Sequence, residues 1–302
     1  MRALLLCNPH ATGTGTGVVD AVARALSAHL ALDVEVTKRR DHACELAAAA
    51  VQDRYEAVIV LGGDGTMNEA MQAVAGSDTK LALIPGGSTN VWARTLGLPH
   101  DPLAAAGAVL EALRAHRDRR VHLGTANGRY FGFTAGFGYD AEVVRLVERH
   151  ERLRQVLGQA SFVWCGLLAL LRGFARRGTR ITVTTHEGER VGGLRTVVCC
   201  NSDPYSYVGD RPSRLCPDAD LEGGLDALGA ERVDLGALLR LARGALSPGG
   251  LGPMRGVHRW HDRAGFELSS SAALPLQVDG DYVGQATTVS LGSARDALTL
   301  VA

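Results

Sequence analysis

The 302-residue sequence predicts an α/β fold with two parts: an N-terminal open parallel sheet with helices on both faces, and a mainly β, sandwich-like C-terminal domain. Over the first 120 residues, short apolar runs alternate with helical stretches, which is the pattern of a parallel sheet between helices. From about Val121, glycine-punctuated β-rich segments replace this alternation. The length also suits two domains, since about 150 residues is a usual share for each.

The first domain is predicted from four apolar strands and the helices between them. The strands cover 3–7, 34–37, 57–61 and 81–84, and the helices cover 18–30, 41–52, 67–74 and 89–96. Asp101 and Pro102 form a typical N-cap and first-turn pair, so we expect a further alanine-rich helix to run to about His116. We place this domain at 1–121, with a C-terminal strand at about 288–302 as a candidate to complete its sheet.

The second domain is predicted at 122–287 from β-rich segments with one helical insertion. The β-rich segments cover 128–138, 180–185, 194–201 and 265–270. The insertion is indicated by apolar residues that fall within an arc of about 120° on a helical wheel. These residues are Val143, Leu146, Val147, Leu153 and Leu157.

Composition and charge exclude several classes of protein. The chain is 46% hydrophobic and 21% charged, which indicates a globular protein. Lys plus Arg equals Asp plus Glu, at 32 each, and this balance argues against a nucleic-acid partner held by a global positive field. The six cysteines form no CxxC pair, which favours a reducing cytosol. The longest apolar run, 160–171, would extend only about 18 Å as a helix, so no transmembrane segment is expected.

Three glycine-rich turns follow the first, third and fourth predicted strands, at 8–17, 62–70 and 85–90. Glycine lets a backbone approach an anion closely, and the start of the next helix offers unpaired N–H donors. Because ligands of open sheets bind at the carboxyl ends of the strands, the three turns together favour a nucleotide phosphate site. Their spacing matches neither GxGxxG nor GxxxxGK[ST], which disfavours a dinucleotide fingerprint and a P-loop.

Asp64 belongs to the second of the three turns. A carboxylate beside a polyphosphate is repulsive unless it holds Mg²⁺ or takes a proton, and phosphoryl transfer needs groups for both tasks. The alternative is that Asp64 only caps the helix that begins near Thr66.

The second and third turns, GGDGTMNEA at 62–70 and PGGSTNVWARTLGLP at 85–99, resemble the catalytic domain of diacylglycerol kinases and their sphingosine-kinase-like relatives. The opening Asn8-Pro9, the acidic run 218–226 and the turn 278–281 fall in the order of that family, so the resemblance covers nearly the whole chain. GGDGT alone is shared with NAD kinases and phosphofructokinases. The paired turns are more specific.

The resemblance implies an ATP site, catalytic carboxylates and a metal site. It implies Asp279 as the general base, with Asp281 beside it in place of the family's Glu, and Asp64 near the γ-phosphate. The implied ATP-binding residues are Asn8, Thr12, Thr37, Gly62, Gly63, Asp64, Gly65, Thr66, Asn68, Gly87, Ser88 and Asn90. An acidic run that resembles the family's Mg²⁺ site, with an apparent one-residue deletion, offers oxygen ligands from Asp218, Asp220, Glu222 and Asp226. The alternative for that run is a solvated acidic turn.

An arginine-rich segment surrounds the apolar run 160–171. It holds arginines at 145, 149, 152, 154, 172, 176, 177 and 180 against glutamates at 148 and 151. Apolar residues flanked by cations suit an interfacial helix on an anionic membrane, and the alternative is a core helix with a solvated face.

The sequence as a whole is interpreted as an ATP- and Mg²⁺-dependent lipid kinase of the cytoplasm, peripherally associated with membranes, with diacylglycerol as the first-choice acceptor and a homodimer as one possible assembly. Three alternatives stay open. They are a kinase of a sphingoid base or other lipid alcohol, an NAD-kinase-like enzyme with a soluble acceptor, and a catalytically weak nucleotide- or lipid-binding protein.

Overall fold

The structure is a computed structural model that describes residues 1–150, 160–172, 174 and 178–301. The chain divides into two compact units. Unit 1 contains Met1–Leu123 and Arg295–Ala302, and unit 2 contains Gly124–Ala294.

Unit 1 is built on a parallel sheet. Its strands are β1 (Arg2–Cys7), β2 (Ala31–Val36), β3 (Ala57–Gly62), β4 (Lys80–Pro85) and the end of β16 (Asp281–Val301), in the order β2-β1-β3-β4-β16. Every residue of β3 is buried, because this central strand has neighbours on both sides and helices on both faces. The last strand joins β4 in parallel, where Leu300 pairs with Leu81.

The helices of unit 1 pack in two groups. They are α1 (Thr16–Ser27), α2 (His42–Gln52), α3 (Asp64–Val74), α4 (Val91–Thr95) and α5 (Pro102–Arg114). Helix α1 packs against α5, and α2 packs against α3. The predicted cap of α5 is present, because the Asp101 carboxylate accepts the backbone N–H of Ala104 at 2.8 Å.

Helices α3 and α4 begin at other residues than predicted. Helix α3 begins at Asp64 and not at Met67, because Gly63 is extended (φ −96°) and takes the N-cap position itself. Helix α4 is short, since Asn90 precedes it in the left-handed region (φ 48°) and Gly97 follows it at φ 69°.

Unit 2 is mainly β. Its principal sheet has the order β14-β13-β10-β7-β15-β16 with antiparallel neighbours, and its core is formed around Phe131, Phe137, Trp260 and Phe266. Strand β5 (Asp118–Ala126) starts in unit 1 and ends in unit 2. The other strands are β6 (Arg129–Phe131), β7 (Thr134–Gly138), β8 (Ile181–Thr185), β9 (Arg190–Leu194), β10 (Thr196–Cys200), β11 (Ser206–Val208), β12 (Arg211–Ser213), β13 (Leu225–Ala230), β14 (Val257–Arg263) and β15 (Gly265–Val278). The α/β fold class predicted from the sequence is therefore confirmed.

The helices of unit 2 are α6 (Tyr139–Arg149), α7 (Ala160–Leu171) and α8 (Leu235–Ala245). Helix α6 contains Val143, Leu146 and Val147 of the predicted helical insertion, and it packs against α7. Leu153 and Leu157, and the arginines at 152, 154, 176 and 177, lie outside the described residues. Among the residues that are described, no helix is long and apolar enough to cross a membrane.

Candidate active site

The three glycine-rich turns of unit 1 meet at the carboxyl ends of β1, β3 and β4. The backbone N–H of Gly13 donates to the carbonyl of Gly86 at 2.8 Å, and the N–H of Gly86 donates to the carbonyl of Gly62 at 2.8 Å. A Cβ atom on Gly87 would lie 2.8 Å from the Cα of Gly63. Only glycine permits this approach, so the turns form one continuous stack of backbone.

Asp64 joins two of these turns. One carboxylate oxygen accepts the N–H of Val91 and the other accepts the N–H of Trp92, each at 3.0 Å. These are the first N–H groups of α4, so Asp64 caps α4, although it is itself the first residue of α3. Burial raises the pKa of Asp64, and the two N–H donors oppose that rise.

The residues of the implied ATP set divide by exposure. Thr12, Gly65 and Ser88 are exposed. Thr37, Thr66 and Asn68 are buried. Besides Asp64, the remaining residues of the set belong to the backbone of the three turns: Asn8, Gly62, Gly63, Gly87 and Asn90. The Asn8 side-chain amide donates to the Thr66 hydroxyl at 2.9 Å, and the Asn90 amide closes the third turn on the backbone of Gly87.

Asp279 lies in a tight turn of unit 2, at φ 49°. Its carboxylate accepts three successive backbone N–H groups: Gly132 and Phe133 at 2.8 Å, and Thr134 at 2.9 Å. Asp281 begins β16 two residues later. The donors hold the Asp279 carboxylate in one orientation.

A buried network supports that turn. Asp140 accepts the Tyr205 hydroxyl at 2.7 Å and the Gln277 amide at 2.9 Å, and the oxygen of Gln277 accepts the N–H of Gly280 at 2.8 Å. Burial raises the pKa of both Asp140 and Tyr205. A Cβ on Gly136 would lie 1.9 Å from an Asp140 oxygen, so this glycine makes room for the carboxylate.

Sequence patterns did not predict this network. The signal that was available is the run Gly-Phe-Gly-Tyr-Asp at 136–140, where two glycines and an acid stand between a strand and a helix. The partners Tyr205 and Gln277 carry no comparable signal, because they lie 65 and 137 residues away from Asp140.

The acidic run 218–226 does not assemble the metal site that the resemblance implies. Asp220 accepts the N–H groups of Glu222 and Gly223 at 2.7 Å, and Asp226 accepts His261 Nδ1 and the N–H of Asp262 at 2.9 Å. Asp218 lies 3.8 Å from Arg259. A cavity of about 160 Å³ lies between the acidic residues and His261, but Glu222 does not line it.

The carboxylate oxygens of this run are the type of metal ligand that Mg²⁺ prefers. However, Asp220 and Asp226 already accept hydrogen bonds from N–H groups. The Asp226 carboxylate also raises the pKa of His261 through their hydrogen bond and its charge. Within the described part of the chain, no three His, Cys, Asp or Glu side chains are arranged to hold a metal ion. As placed, these residues do not fit Mg²⁺.

Comparisons with known proteins agree with each other. A family model described as the diacylglycerol kinase catalytic domain matches residues 2–126. The diacylglycerol kinase of Staphylococcus carnosus is 30% identical over 248 residues, which cover 78% of this chain and 73% of that protein. The diacylglycerol kinase of Bacillus subtilis is 30% identical over 249 residues, which cover 80% and 76%. The fold is similar to the crystal structure of a putative diacylglycerol kinase from Bacillus anthracis, with a TM-score of 0.78, 21% identity, and 99% of this chain and 96% of that chain covered.

Proposed function

Because the chain belongs to the diacylglycerol kinase family, and is thus a lipid kinase, we propose that it transfers the γ-phosphate of ATP to the hydroxyl of diacylglycerol to give phosphatidic acid, with Mg²⁺ bound to the nucleotide. The observation that carries the proposal is the stack of three glycine-rich turns at the ends of β1, β3 and β4. Phosphoryl transfer asks mainly for positioning and charge neutralisation, and such a stack supplies rigid backbone donors for both.

In this proposal the stacked turns hold the phosphates of ATP. Helix α3 starts in the second turn, so its unpaired N–H groups and partial positive charge suit an anion. The exposed hydroxyls of Thr12 and Ser88 and the open backbone of Gly65 are available to contact it. Asp64 contributes by fixing α4, and with it the third turn, against the second.

Asp279 is proposed to take the proton of the lipid hydroxyl, with Asp281 next to it. Three N–H donors fix the direction of the Asp279 carboxylate, and a general base needs such positioning. Mg²⁺ bound with the nucleotide would neutralise charge on the phosphates. The acidic run 218–226 takes no part in these steps.

The lipid acceptor also defines where the enzyme works. We propose a cytoplasmic protein that contacts an anionic membrane surface peripherally. Arginines near the apolar run 160–171 support this proposal, since basic residues are attracted to anionic lipid. A homodimer stays a prediction, and sedimentation of the purified chain tests it.

An acceptor screen tests the function. The protein is incubated with ATP and Mg²⁺ and with diacylglycerol, a sphingoid base or NAD, and the phosphorylated product is identified by mass. We expect phosphatidic acid from diacylglycerol, and a loss of it in Asp279→Asn but not in the matched surface variant Asp296→Asn. Phosphorylation of NAD without lipid, or tight ATP binding without any product, would overturn the proposal.

A further inference from the structure

Helix α7 buries three small residues and exposes five large apolar ones. Ser161, Cys165 and Ala169 are buried and lie four residues apart, on one face of the helix. A helix that packs only on a protein core has the opposite arrangement, with large apolar residues inside. The outer face of α7 consists of Phe162, Val163, Trp164, Leu167 and Leu171.

Contacts with α6 determine which side of α7 faces outward. The Tyr139 hydroxyl donates to the carbonyl of Gly166 at 2.8 Å, and a Cβ on Gly166 would lie 3.2 Å from that hydroxyl oxygen. Cys165 and Ala169 belong to the core of unit 2. Val163, on the opposite side, is 77% exposed, Leu171 is 76% exposed and Trp164 is 54% exposed.

Two exposed arginines lie at the ends of the two packed helices. Arg149 ends α6 and Arg172 follows α7 directly, and both are exposed and form no ion pair with any residue that the structure describes. Arg145 differs, because Glu142 pairs with it at 2.6 Å. No charged residue occurs from 160 to 171. An uninterrupted apolar face with unpaired cations nearby is complementary to lipid chains beneath anionic headgroups.

We propose that the outer face of α7, together with Arg149 and Arg172, is the surface that docks this enzyme on an anionic lipid bilayer. The inference deepens the proposed function and rests on it, since only a membrane-borne acceptor requires such a surface. With 12 residues, α7 is about 18 Å long, too short to span a bilayer core of about 30 Å. It therefore lies in the plane of the interface, where tryptophan is enriched.

Tryptophan emission reports the docking directly. Trp92 and Trp260 are buried, whereas Trp164 is half exposed on the outer face of α7. The full-length protein is titrated, without ATP or diacylglycerol, with vesicles of phosphatidylcholine plus phosphatidylglycerol and with vesicles of phosphatidylcholine alone. We expect a blue shift on the anionic vesicles that Trp164→Phe abolishes while vesicle co-sedimentation persists, and we expect binding to weaken as salt rises.

Paired variants measure the contribution of each part. Val163→Ser with Leu171→Ser should weaken vesicle binding at least about tenfold, because each change removes an apolar side chain from the interface. The matched control, Leu103→Ser with Val208→Ser, makes the same two changes at exposed sites elsewhere and should bind as the parent does. Arg149→Gln and Arg172→Gln should each weaken binding about fivefold, and only on anionic vesicles.

Two results would overturn the inference. One is vesicle binding by the Val163→Ser, Leu171→Ser variant equal to that of the parent. The other combines two observations: the emission of Trp164 is already blue-shifted without lipid, and the Val163→Ser, Leu171→Ser variant sediments with a lower mass than the parent. Together they would show that a second copy of the chain covers this face. Vesicle binding is measured without turnover, so the two claims can fail separately. If the protein binds vesicles through α7 but phosphorylates no lipid, the proposed function is refuted and the docking surface is not.

Discussion

Replacing Asp279 by asparagine tests two roles of this side chain: it anchors the backbone at 132–134, and it is the proposed base for proton transfer. The carboxylate accepts the N–H of Gly132 on one oxygen and those of Phe133 and Thr134 on the other. The asparagine side chain keeps one oxygen as an acceptor. Its NH₂ group takes the place of the other oxygen, so a side-chain donor then faces a backbone N–H donor. Because a hydrogen bond to a charged group contributes about 1.5–3 kcal/mol, and this side chain is half-buried, we expect a loss of about 2 kcal/mol.

The backbone conformation adds nothing to this cost. Asp279 has φ 49°, and asparagine tolerates the left-handed region as well as aspartate does. The control Asp296→Asn makes the same change at φ 48°, where the exposed carboxylate lies 3.7 Å from His122, and we expect an effect within about 0.5 kcal/mol.

Two assays read the outcome. Urea unfolding measures the stability, and hydrogen exchange of the peptide 130–136 measures whether the three amides lose protection. If Asp279 also takes the substrate proton, kcat falls about 10²- to 10⁴-fold in Asp279→Asn. Unchanged exchange and stability would refute the anchoring role. Lost protection with full activity would instead place the base elsewhere, with Asp281 the first to test.

Further variants test the turns and the buried network. Gly87→Ala should destabilise by about 1–3 kcal/mol and weaken binding of an ATP analogue, because its Cβ would lie 2.8 Å from the Cα of Gly63. Gly65→Ala, in α3 with no atom within 4 Å of its Cβ, should instead stabilise by up to about 1 kcal/mol, and equal urea midpoints for the two would contradict the close approach. Tyr205→Phe removes the hydroxyl donor of buried Asp140 and should cost about 1.5–3 kcal/mol in urea unfolding; a smaller change would mean that water replaces the hydroxyl. Since burial raises the pKa of Asp140 above its ordinary 3.8, this carboxyl contributes stability that is full below that value and is lost as pH rises through the raised pKa. As pH rises, urea midpoints of the parent should therefore fall relative to those of Asp140→Asn. A difference that stays constant with pH would contradict a raised pKa of Asp140.

The parallel sheet could be predicted because its central strands are buried on both faces and are therefore continuous apolar runs, as in 57–61. Strand β2 was predicted less well, at 34–37 in place of Ala31–Val36. It is an edge strand with mostly exposed residues, so its sequence lacks the apolar run that marks the others.

The meeting of the three turns could also be predicted, since the carboxyl ends of parallel strands converge. The partners of individual side chains could not. Asp64 bonds to amides 27 and 28 residues away, and Asp140 bonds to Tyr205 and Gln277 across still longer separations. Such pairings depend on strand order in space, which local patterns do not encode.

The return of β16 to unit 1 has a consequence for synthesis on the ribosome. Strand β4 has β3 on one side and the last residues of β16 on the other, through Leu300 and Val301. Until those residues emerge, β4 is an edge strand whose apolar residues 81–84 lie beside unpaired backbone groups, a template for pairing with another nascent chain. A chain that stops near residue 294 would keep this open edge permanently, so we expect nearly full-length fragments to aggregate.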